Sequence, residues 1–423
     1  MVEQHGKTLV PQIRFFDFTD PWEQRKLENY VVVSTTKNVD GKFGKEDVLS
    51  VSGEYGVVNQ ITFQGRSFAG ASVSNYGVVN TRDVVYTKSP LNSNPYGIIK
   101  VNKGIPGIVS TLYAIYHPRD NVYANFIQVY FEQHERMNNY MHPLVNKGAK
   151  NDMKVTAENA LKGMVTFPSR EEQYVISVFF SRLDSLITLH QRKYDKLCVL
   201  KKSMLDKMFP KGGSLYPEIR FAGFADPWEQ RKLGEFGSVA MCKRIYKEQT
   251  SEQGDVPFFK IGTFGANPDA FISNELFEDF KRIYPYPTPG TLLISAAGSI
   301  GRVVEYQGEK AYFQDSNIVW LEHDHRLNDA FLKPLYSRIE WGLEGSTIKR
   351  LYNKDLLSAE VTVPGGREQE EIGQFFAKLD NLITLHQRKY DGCTLSVSFL
   401  ERCTLCRKTS PRNRYSATTT PSG

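Results

Sequence analysis

The chain has 423 residues and carries 53 lysines plus arginines against 47 aspartates plus glutamates, a net charge of +6. Its 40% apolar and 12% aromatic content excludes a largely disordered chain, and its length predicts two to three domains. No apolar run approaches the roughly 18 residues of a membrane helix, and the polar N-terminus lacks a secretory pattern, so we expect a cytoplasmic protein that contacts no membrane. The small charge surplus fits a polyanionic or a neutral partner, and five cysteines, an odd number, favour a reducing compartment over a disulfide framework.

The chain begins with a block that occurs twice. Asp20–Leu27 reads Asp-Pro-Trp-Glu-Gln-Arg-Lys-Leu and returns as Asp226–Leu233, and a Pro-x-Ile-Arg-Phe segment precedes each copy. Asp at a cap position, Pro in the first turn and Glu where the helix dipole favours it predict that each copy opens a helix, at Asp20–Gln24 in the first. Because the residues between the repeated blocks are not alike, the sequence predicts a duplicated scaffold that presents two different surfaces.

Two variable regions follow, 28–165 in the first half and 234–361 in the second. Short β-branched or aromatic runs separated by Gly, Pro and Asn predict mixed α/β regions with short sheets. Tyr-Gly-Val-Val-Asn occurs at Tyr55–Asn59 and again at Tyr76–Asn80, which we interpret as two similar strand–turn elements. The other predicted strands are Val31–Val33, Val84–Tyr86, Gly97–Val101, Thr291–Ile294 and Asn317–Leu321.

Each variable region ends at a Val-Thr-x-Pro sequence that precedes a predicted long helix. A Glu-Gln pair follows Pro168 and Pro364 at the start of each helix, and Leu186–Asp195 returns letter for letter as Leu382–Asp391. Apolar or aromatic residues recur at steps of three and four, which is the spacing of a coiled coil. Each helix alone would expose this stripe, so we expect the two copies to pack against each other, antiparallel because a long domain intervenes.

The stripe of the first helix is interrupted at Lys201, where we expect Leu200 to substitute. A continuous helix from Leu183 to Met208 would span roughly 40 Å at about 1.5 Å per residue, close to the 34–36 Å of one DNA turn. Such a rigid pair would hold two recognition surfaces about one turn apart. The residues predicted to pack in this spacer are Leu183, Ile187, Tyr194 and Leu197 of the first helix and Leu379, Ile383 and Tyr390 of the second, with His190 and His386 also in the stripe.

The predicted fold class is α+β, with two mixed α/β domains of short twisted sheets separated by two long antiparallel helices that form a coiled-coil spacer. After Asp391 the second copy stops resembling the first, and no acidic residue follows Glu401. We hypothesise that a frameshift near the end of the gene replaced the last turns of the second helix. The predicted domain limits are 1–165 and 212–362 for the two variable domains, 166–211 and 363–407 for the two helices, and 408–423 for a disordered tail.

The repeated motifs resemble those of the specificity subunits of type I restriction-modification systems. The Pro-Trp-Glu-Gln-Arg-Lys-Leu block, the helix openings after Pro168 and Pro364, and the Leu-Ile-Thr-Leu-His-Gln-Arg helices each occur twice, in the order of that family. The resemblance covers Pro11 to about Asp391. It implies that each variable region is a target-recognition domain that reads one half of a split DNA site. It also implies that the two helices set the gap and dock two methyltransferase subunits, with restriction and translocase subunits joining the full complex.

The resemblance further implies a chain that binds double-stranded DNA and has no catalytic residues, cofactor or metal of its own. S-adenosylmethionine, ATP and Mg²⁺ are then expected in the partner subunits. Two alternatives stay open: a stand-alone DNA methyltransferase or nuclease, and a protein–protein scaffold with no DNA role.

Candidate DNA contacts lie in turn-rich segments of both variable regions. Gly-Ser-x-x-Lys/Arg loops expose backbone N–H groups and a cation together, which suits phosphate, and Asn, Gln and Arg are residue types that read bases. Each candidate also fits a solvated turn with no DNA role. The candidates are Lys88, Asn92, Ser93, Lys147, Lys150 and Asn151 in the first region and Ser299, Arg302, Gln314, Asn317, Ser346, Lys349 and Arg350 in the second.

Three groups of residues partly match catalytic or metal-binding motifs, but each has a simpler structural interpretation. Asn94-Pro95-Tyr96 lacks the second proline of the amino-methyltransferase motif, so we interpret it as a turn. Asp269 and Asp279 with a following lysine match a loose nuclease pattern, but the segment around Asp279 is amphipathic, as in a helix. Cys403 and Cys406 form half of a zinc site with no second pair nearby, so we expect ordinary thiols and no metal.

Overall fold

The structure is a computed structural model that describes residues 10–11, 13–88, 94–147, 153–339, 341 and 350–404, with the backbone alone at 146–147, 153–154 and 398–404. The chain divides into two compact units: unit 1 comprises Met1–Leu189 and Lys389–Gly423, and unit 2 comprises His190–Arg388. Within the described ranges, no helix combines the length and the apolar character needed to cross a membrane.

The elements of both units are short, apart from two long helices. In unit 1 they are β1 (Glu23–Lys26), β2 (Val31–Val33), β3 (Leu49–Ser52), β4 (Gly56–Asn59), α1 (Gln60–Gln64), β5 (Gly77–Val79), β6 (Val84–Thr87), β7 (Ile98–Val101), β8 (Gly107–Val109), β9 (Tyr113–Pro118), α2 (Ala124–Phe131), α3 (His134–Met141), β10 (Asn146–Lys147), β11 (Met153–Lys154), β12 (Met164–Phe167) and the start of α4 (Arg170–Lys207). In unit 2 they are β13 (Glu229–Lys232), β14 (Gly237–Ala240), β15 (Val256–Phe259), β16 (Phe271–Ile272), α5 (Asn274–Ile283), β17 (Leu292–Ser295), β18 (Val303–Glu305), β19 (Tyr312–Phe313), β20 (Ile318–His323), α6 (Asp329–Tyr336), α7 (Asn353–Ser358), β21 (Glu360–Val363) and the start of α8 (Gly366–Thr404). The predicted α+β class, with two mixed domains and two long helices, is confirmed.

Both units contain a four-stranded antiparallel sheet of the same connectivity. Its strand order is β2-β9-β6-β7 in unit 1 and β14-β20-β17-β18 in unit 2. A two-stranded antiparallel ribbon accompanies each sheet, β1 with β12 and β13 with β21. The five strands predicted from β-branched and aromatic runs correspond to β2, β6, β7, β17 and β20, and the two Tyr-Gly-Val-Val-Asn copies contain β4 and β5.

The central strand of each sheet is buried on both faces, because successive side chains of a strand point to opposite sides. In β6, Val84 and Tyr86 face the larger core of unit 1, while Val85 packs into a small aliphatic core. In β17, Leu292 and Ile294 face one core of unit 2, while Leu293 packs into a second core that is rich in aromatic rings. A continuous apolar run in both strands therefore reflects a sheet that is covered on two sides.

The layers that cover the second face differ between the units. In unit 1 the sheets β3-β4 and β5-β8 enclose Leu49, Val79 and Val109. In unit 2 the three-stranded sheet β16-β15-β19 and helix α5 enclose aromatic residues such as Phe277 and Tyr312. The variable regions thus differ in architecture as well as in sequence.

The repeated block does not open a helix, which corrects the prediction at Asp20–Gln24. Glu23–Lys26 and Glu229–Lys232 are strands, each paired in register with the Val-Thr segment that precedes the long helix. The neighbouring Trp22 and Trp228 are buried, whereas all four residues of each strand are exposed. Ladder hydrogen bonds to a distant strand and burial of the indole ring outweigh the local capping pattern.

A buried ion pair joins the segment before the repeated strand of each unit, β1 or β13, to the start of a long helix. Arg14 donates two hydrogen bonds to the carboxylate of Glu172, at 2.8 and 2.6 Å, and Arg220 donates two to Glu368, both at 2.7 Å. Both carboxylates are buried. Hydrogen bonding to Glu172 raises the pKa of Arg14, and hydrogen bonding to Glu368 does the same for Arg220. We call this pair, with the glutamine that follows each glutamate, the joint of each unit.

The glutamine of each joint holds the chain segment that leads into the short helix after the sheet. Gln173 accepts from the backbone N–H of Tyr123 at 2.9 Å and donates to the carbonyl of Pro168 at 2.9 Å. Gln369 accepts from the N–H of Asn328 and donates to the carbonyl of Pro364, both at 2.9 Å. Burial of both amides explains why the Glu-Gln pair is shared by two otherwise different units.

The two long helices pack against each other antiparallel in unit 2. His190 contacts His386, and Lys201 donates to Asp380 at 2.5 Å, so that later residues of α4 meet earlier residues of α8. Lys201 itself occupies the stripe and is half-buried, whereas Leu200 is exposed, which corrects the expectation that Leu200 substitutes there. The ion pair to Asp380 satisfies the lysine within the stripe.

The remaining stripe residues are less exposed than the positions between them. Leu183, Ile187 and Tyr390 of unit 1 and Tyr194, Leu197 and Ile383 of unit 2 are half-buried, and Leu379 is buried. In unit 1, Val397 of α8 packs on the cluster that contains Ile176 and Phe180 of α4. The predicted tail, 408–423, and the side chains of Cys403 and Cys406 lie outside the described residues, and the domain limits stay predictions.

Candidate nucleic-acid interface

The hairpin between β17 and β18 is the first part of the candidate interface in unit 2. Ser299 and Arg302 lie in it and are exposed. The hydroxyl of Ser295 accepts from the N–H of Arg302 at 2.9 Å and donates to the carbonyl of Ser299. Gly298 and Gly301 have φ angles of 65° and 78°, a conformation that glycine adopts without strain. A fixed, glycine-containing turn thus presents a hydroxyl and a guanidinium to solvent.

The turn before β20 is the second part. The N–H of Ala296, at the end of β17, donates to the carbonyl of Asn317 at 2.8 Å, which places this turn beside the hairpin. The amide oxygen of Gln314 accepts from the N–H of Ile261 at 2.9 Å. Asn317 is half-buried at the edge of the turn. The amide oxygen of Gln314 is already engaged by this backbone hydrogen bond, so the donors that its side chain could offer to a ligand are those of its NH₂ group.

Arg350 is the third part of the candidate interface in unit 2, and it lies beside both the hairpin and the turn. Leu351 donates its N–H to the carbonyl of Ala296 at 2.9 Å, and Arg350 donates to the carbonyl of Ser316 at 3.0 Å. Arg302 donates to the carbonyl of Gly265 at 3.1 Å. The structure therefore brings Ser299, Arg302, Gln314, Asn317 and Arg350 together around the end of one strand, although they are up to 51 residues apart in sequence (350 − 299).

The equivalent hairpin of unit 1 joins β6 and β7 and begins with Lys88. The backbone N–H of Lys88 donates to Leu112, as that of Ala296 does to Asn317, and its ammonium donates to the carbonyl of Thr111 at 3.0 Å. Burial, and then the neighbouring cation of Lys37, lower the pKa of Lys88. A phosphate at this position would be attracted by two lysines.

Several candidates cannot be placed. Lys147 is described by its backbone alone, in β10, paired with β11. Asn92, Ser93, Lys150, Asn151, Ser346 and Lys349 lie outside the described residues.

Two cations of the interface were missed from the sequence. Lys37 lies near Lys88, and Arg244 donates to Asp315 at 2.9 Å, within the turn of unit 2. Lys37 follows β2 and Arg244 follows β14, which are equivalent strands of the two sheets. A comparison of the residues after these two strands could therefore have identified both cations from the sequence. The pairing of that strand with the last strand of the sheet carries its C-terminal segment towards the turn.

The constellations that suggested chemistry have structural partners. The amide oxygen of Asn94 is 2.9 Å from Nδ1 of His134, and Asn94 is buried. Asp269 pairs with Lys260 at 2.9 Å, and Asp279 pairs with Arg282 at 2.9 Å on helix α5. Among the residues that the structure describes, no group of three or more His, Cys, Asp or Glu side chains is placed to hold a metal ion.

The long helices carry a second candidate surface. Equivalent residues of α4 and α8 differ by 196 in number, and the first exposed positions differ in type, for example Tyr174 against Glu370. From Leu186 to Asp195 every residue is identical to its copy, including those that face solvent. Leu186 and Leu189 are 42% and 44% exposed, and their copies Leu382 and Leu385 are 43% and 44% exposed. Each unit therefore presents the same pair of outward-facing leucines, which we call the leucine patch.

Comparisons with known proteins find similar sequences among type I restriction enzymes. Residues 225–392 match the family model for the type I restriction modification DNA specificity domain. A protein of Haemophilus influenzae, named as a type I restriction enzyme specificity subunit, is 50% identical over 153 residues, which are 36% of this chain and 40% of the relative. A protein of Methanocaldococcus jannaschii, named as a type I restriction enzyme specificity subunit, is 22% identical over 286 residues, 64% of this chain and 65% of the relative. The chain thus aligns with less than two thirds of the length of each of these relatives.

The fold is similar to that of a solved structure. The crystal structure of a type I restriction-modification system S subunit from M. genitalium superposes with a TM-score of 0.59 and 14% identity, covering 95% of this chain and 100% of that one. The shared fold, the matched specificity domain and the 50% identical relative support the resemblance of the repeated motifs. The chain is therefore similar to specificity subunits of type I restriction-modification systems, and residues 225–392 match the DNA specificity domain of such proteins.

Proposed function

We propose that each unit reads one half of a bipartite DNA target, and that the two long helices set the gap between the halves and dock two methyltransferase subunits. The observation that carries the proposal is that both units have the same sheet and the same joint, but different side chains in the hairpin and the turn. The hairpin and the turn occupy equivalent positions in both units, but their side chains differ, as reading two unlike half-sites requires. In this account S-adenosylmethionine, ATP and Mg²⁺ act in partner subunits, and restriction and translocase subunits complete the assembly.

The charges of the two candidate surfaces suit a duplex. Arg302, Arg350 and Arg244 surround the turn of unit 2, and Lys37 and Lys88 lie together in unit 1. Cations position a protein on DNA through phosphate contacts, while Asn and Ser side chains at the same turns can reach base edges. Binding should therefore weaken steeply as salt rises, by about 10³-fold between low and moderate salt if six or more phosphates are contacted.

An exchange of reading regions tests the bipartite account. Residues 234–361 are replaced by the corresponding region of a relative, and the chain is expressed with its methyltransferase in a host whose methylome is then sequenced. We expect one half of the methylated motif to change and the other half and the gap to persist. A change in both halves would contradict the proposal.

A matched pair of arginine variants tests the DNA surface. Arg302→Ala removes an exposed cation of the hairpin, and we expect the slope of log affinity against log salt to fall by about 1. Arg231→Ala removes an exposed cation from β13, where it pairs with Glu229, and should leave the slope unchanged. Both variants lose the same charge, so an equal effect of the two would assign the binding to net charge alone.

The leucine patches are the proposed docking sites of the methyltransferase subunits. An exposed pair of leucines is unfavourable in water, and a repeated pair fits two copies of one apolar helix or groove. Leu189→Asp should remove one methyltransferase copy from the complex, Leu385→Asp the other, and the double variant both. Native mass spectrometry of the purified complex reads the stoichiometry.

A charged variant outside the repeated block controls for that experiment. Val199 is 69% exposed on α4 and has no identical copy, because position 395 is a leucine. Val199→Asp should keep both methyltransferase copies. If Val199→Asp disrupts the complex as much as Leu189→Asp does, the leucine patch is not the docking site.

A further inference from the structure

A cavity of about 510 Å³ opens beside the turn of unit 2. Its volume falls in the range of ligand pockets, about 300–1,000 Å³. It shares the turn with the candidate DNA surface, because Ser316 and Arg350 belong to both. The residues that line it are Met241, Ser316, Arg350, Leu351, Tyr352, Asn353 and Lys354.

The lining combines three kinds of group. Arg350 and Lys354 are cationic, and none of the described lining residues is acidic. Met241 and the buried Leu351 supply an apolar floor, and Asn353 supplies an amide. Such a set suits a ligand that has an anionic group, an apolar ring face and polar ring edges.

The tyrosine of the cavity is exposed in a way that suits stacking. Tyr352 is 48% exposed, and the guanidinium of Arg350 lies 6.0 Å from the centre of its ring. Stacking of bases on aromatic rings, with a nearby arginine, is the usual means by which proteins bind single-stranded nucleic acid.

The backbone at the rim is held in an uncommon conformation. Ser316 has a φ of 55°, which is the left-handed region that a non-glycine residue seldom adopts. The side chain of Arg350 donates to the carbonyl of Ser316 at 3.0 Å and so fixes this turn at the mouth of the cavity. Residues in sparsely populated backbone conformations cluster at active sites and ligand sites.

We infer that this cavity takes one unstacked nucleotide of the DNA, with its base on Tyr352 and its phosphate near Arg350 and Lys354. The inference rests on the proposed function and adds to it that unit 2 captures a nucleotide outside the helical stack. A paired base in duplex DNA is stacked on both faces, so its ring cannot reach Tyr352 unless it leaves the stack. With the same offset of 196, the position of unit 1 that corresponds to Tyr352 is Thr156, which has no aromatic ring.

The experiment measures the binding of the full chain to a short fluorescein-labelled single strand of mixed sequence, and separately to its duplex, by anisotropy at one fixed salt concentration. Tyr352→Ala should weaken single-strand binding by roughly 5- to 150-fold, the loss of one base–aromatic stack. Tyr352→Phe keeps the ring face and should bind within about twofold of the original chain. Tyr246→Ala is the matched control, because Tyr246 is an exposed tyrosine of unit 2 that does not line the cavity.

A second variant tests the anionic end of the ligand without removing a side chain that holds the turn. Asn353→Asp places a carboxylate in the first turn of α7, where the helix dipole favours it, so the fold should be preserved. The same carboxylate would repel a phosphate in the cavity, and single-strand binding should fall several-fold. Circular dichroism of each variant verifies that it is folded.

The outcomes separate this inference from the proposed function. If the chain binds duplex DNA in a salt-dependent way but Tyr352→Ala and Asn353→Asp bind the single strand as the original chain does, the cavity is not a nucleotide site and the bipartite reading stands. An equal loss with Tyr246→Ala would also overturn the inference. If the chain binds neither the single strand nor the duplex, both fail.

Discussion

Unit 1 and unit 2 share a four-stranded sheet of the same connectivity and the same joint. The second face of this sheet is covered by a different layer in each unit. The layer of unit 1 is small and aliphatic, with Val85 of β6 as its contact to the sheet. That of unit 2 is larger and aromatic, and Leu293 of β17 takes the equivalent place. We infer from this difference that the sheet and the joint position the hairpin and the turn, and that the covering layer is free to vary.

The joint should contribute equally to the stability of both units. Glu172→Ala leaves Arg14 buried without its carboxylate, and Glu368→Ala does the same to Arg220, so each variant should lose about 3–5 kcal/mol of unfolding free energy. Urea unfolding, followed by hydrogen exchange of peptides from each unit, gives the loss for each. As a control, Glu229→Ala removes an exposed ion pair and should lose less than about 1 kcal/mol. A large effect in one unit and none in the other would show that the joint is not a shared element.

The two covering layers should contribute unequally to the stability of their units. Leu293→Ala opens a cavity in the larger core, where this side chain is fully buried, and should destabilise unit 2 by about 4 kcal/mol. Leu49→Ala affects a small core that can collapse, and should destabilise unit 1 by about 2 kcal/mol. The comparison is made by urea unfolding under identical conditions. Equal losses would mean that the size of the layer does not govern its contribution.

A smaller effect should depend on pH and occur in unit 2. The hydrogen bond that His323 donates through Nε2 to the carboxylate of Asp329, 2.8 Å long, raises the pKa of that histidine. Because the folded pKa is the higher one, the stabilisation is fully present below the unfolded pKa of about 6.5 and is lost as pH rises through the folded value. Asp329→Asn should therefore destabilise the chain at pH about 5.5 more than at pH about 8.5, by less than about 1 kcal/mol since Asp329 is mostly exposed. Equal destabilisation at both pH values would exclude the ion pair as its cause.

The last prediction concerns reactivity and leaves stability unchanged. Burial in the aromatic layer raises the pKa of Cys242 to about 12, so its thiolate is scarce at neutral pH. Cys198 on α4 is half-buried and in a different environment. Labelling with a thiol reagent, followed by peptide mass spectrometry, should modify Cys198 in the native chain and Cys242 only after urea is added. Fast native labelling of Cys242 would show that the aromatic layer opens.

Much of the fold could be predicted from the sequence, because it follows from local patterns. The strands were found where β-branched runs occur between Gly, Pro and Asn, and the long helices where apolar residues recur at steps of three and four. The strand at Glu23–Lys26 was missed, because its pairing partner, Met164–Phe167, is far away in sequence and outweighs the local capping pattern. Lys201 was placed outside the stripe for a similar reason, since its partner Asp380 lies on the other helix.

Less of the candidate interface could be predicted. Residue types selected Arg302, Asn317 and Arg350, but their proximity depends on backbone hydrogen bonds to Ala296, which no local pattern predicts. The role of the buried Glu172 was also hidden, because Arg14 is 158 residues away. A usable signal existed there, since the arginine and the glutamate both recur in the second half of the chain.

The contact between His190 and His386 has a consequence for how the duplicated helices can change. The two residues are copies of each other, 196 positions apart, and in an antiparallel pair of copies a single level brings a residue against its own counterpart. Their Nδ1 atoms are 2.9 Å apart, so one imidazole must donate the proton that the other accepts. The two identical side chains therefore differ in whether Nδ1 carries a proton, and the symmetry of the gene duplication is broken at this level by one hydrogen atom. Mutation at this level alters half of a self-pair, whereas a coordinated change of both copies needs two independent events.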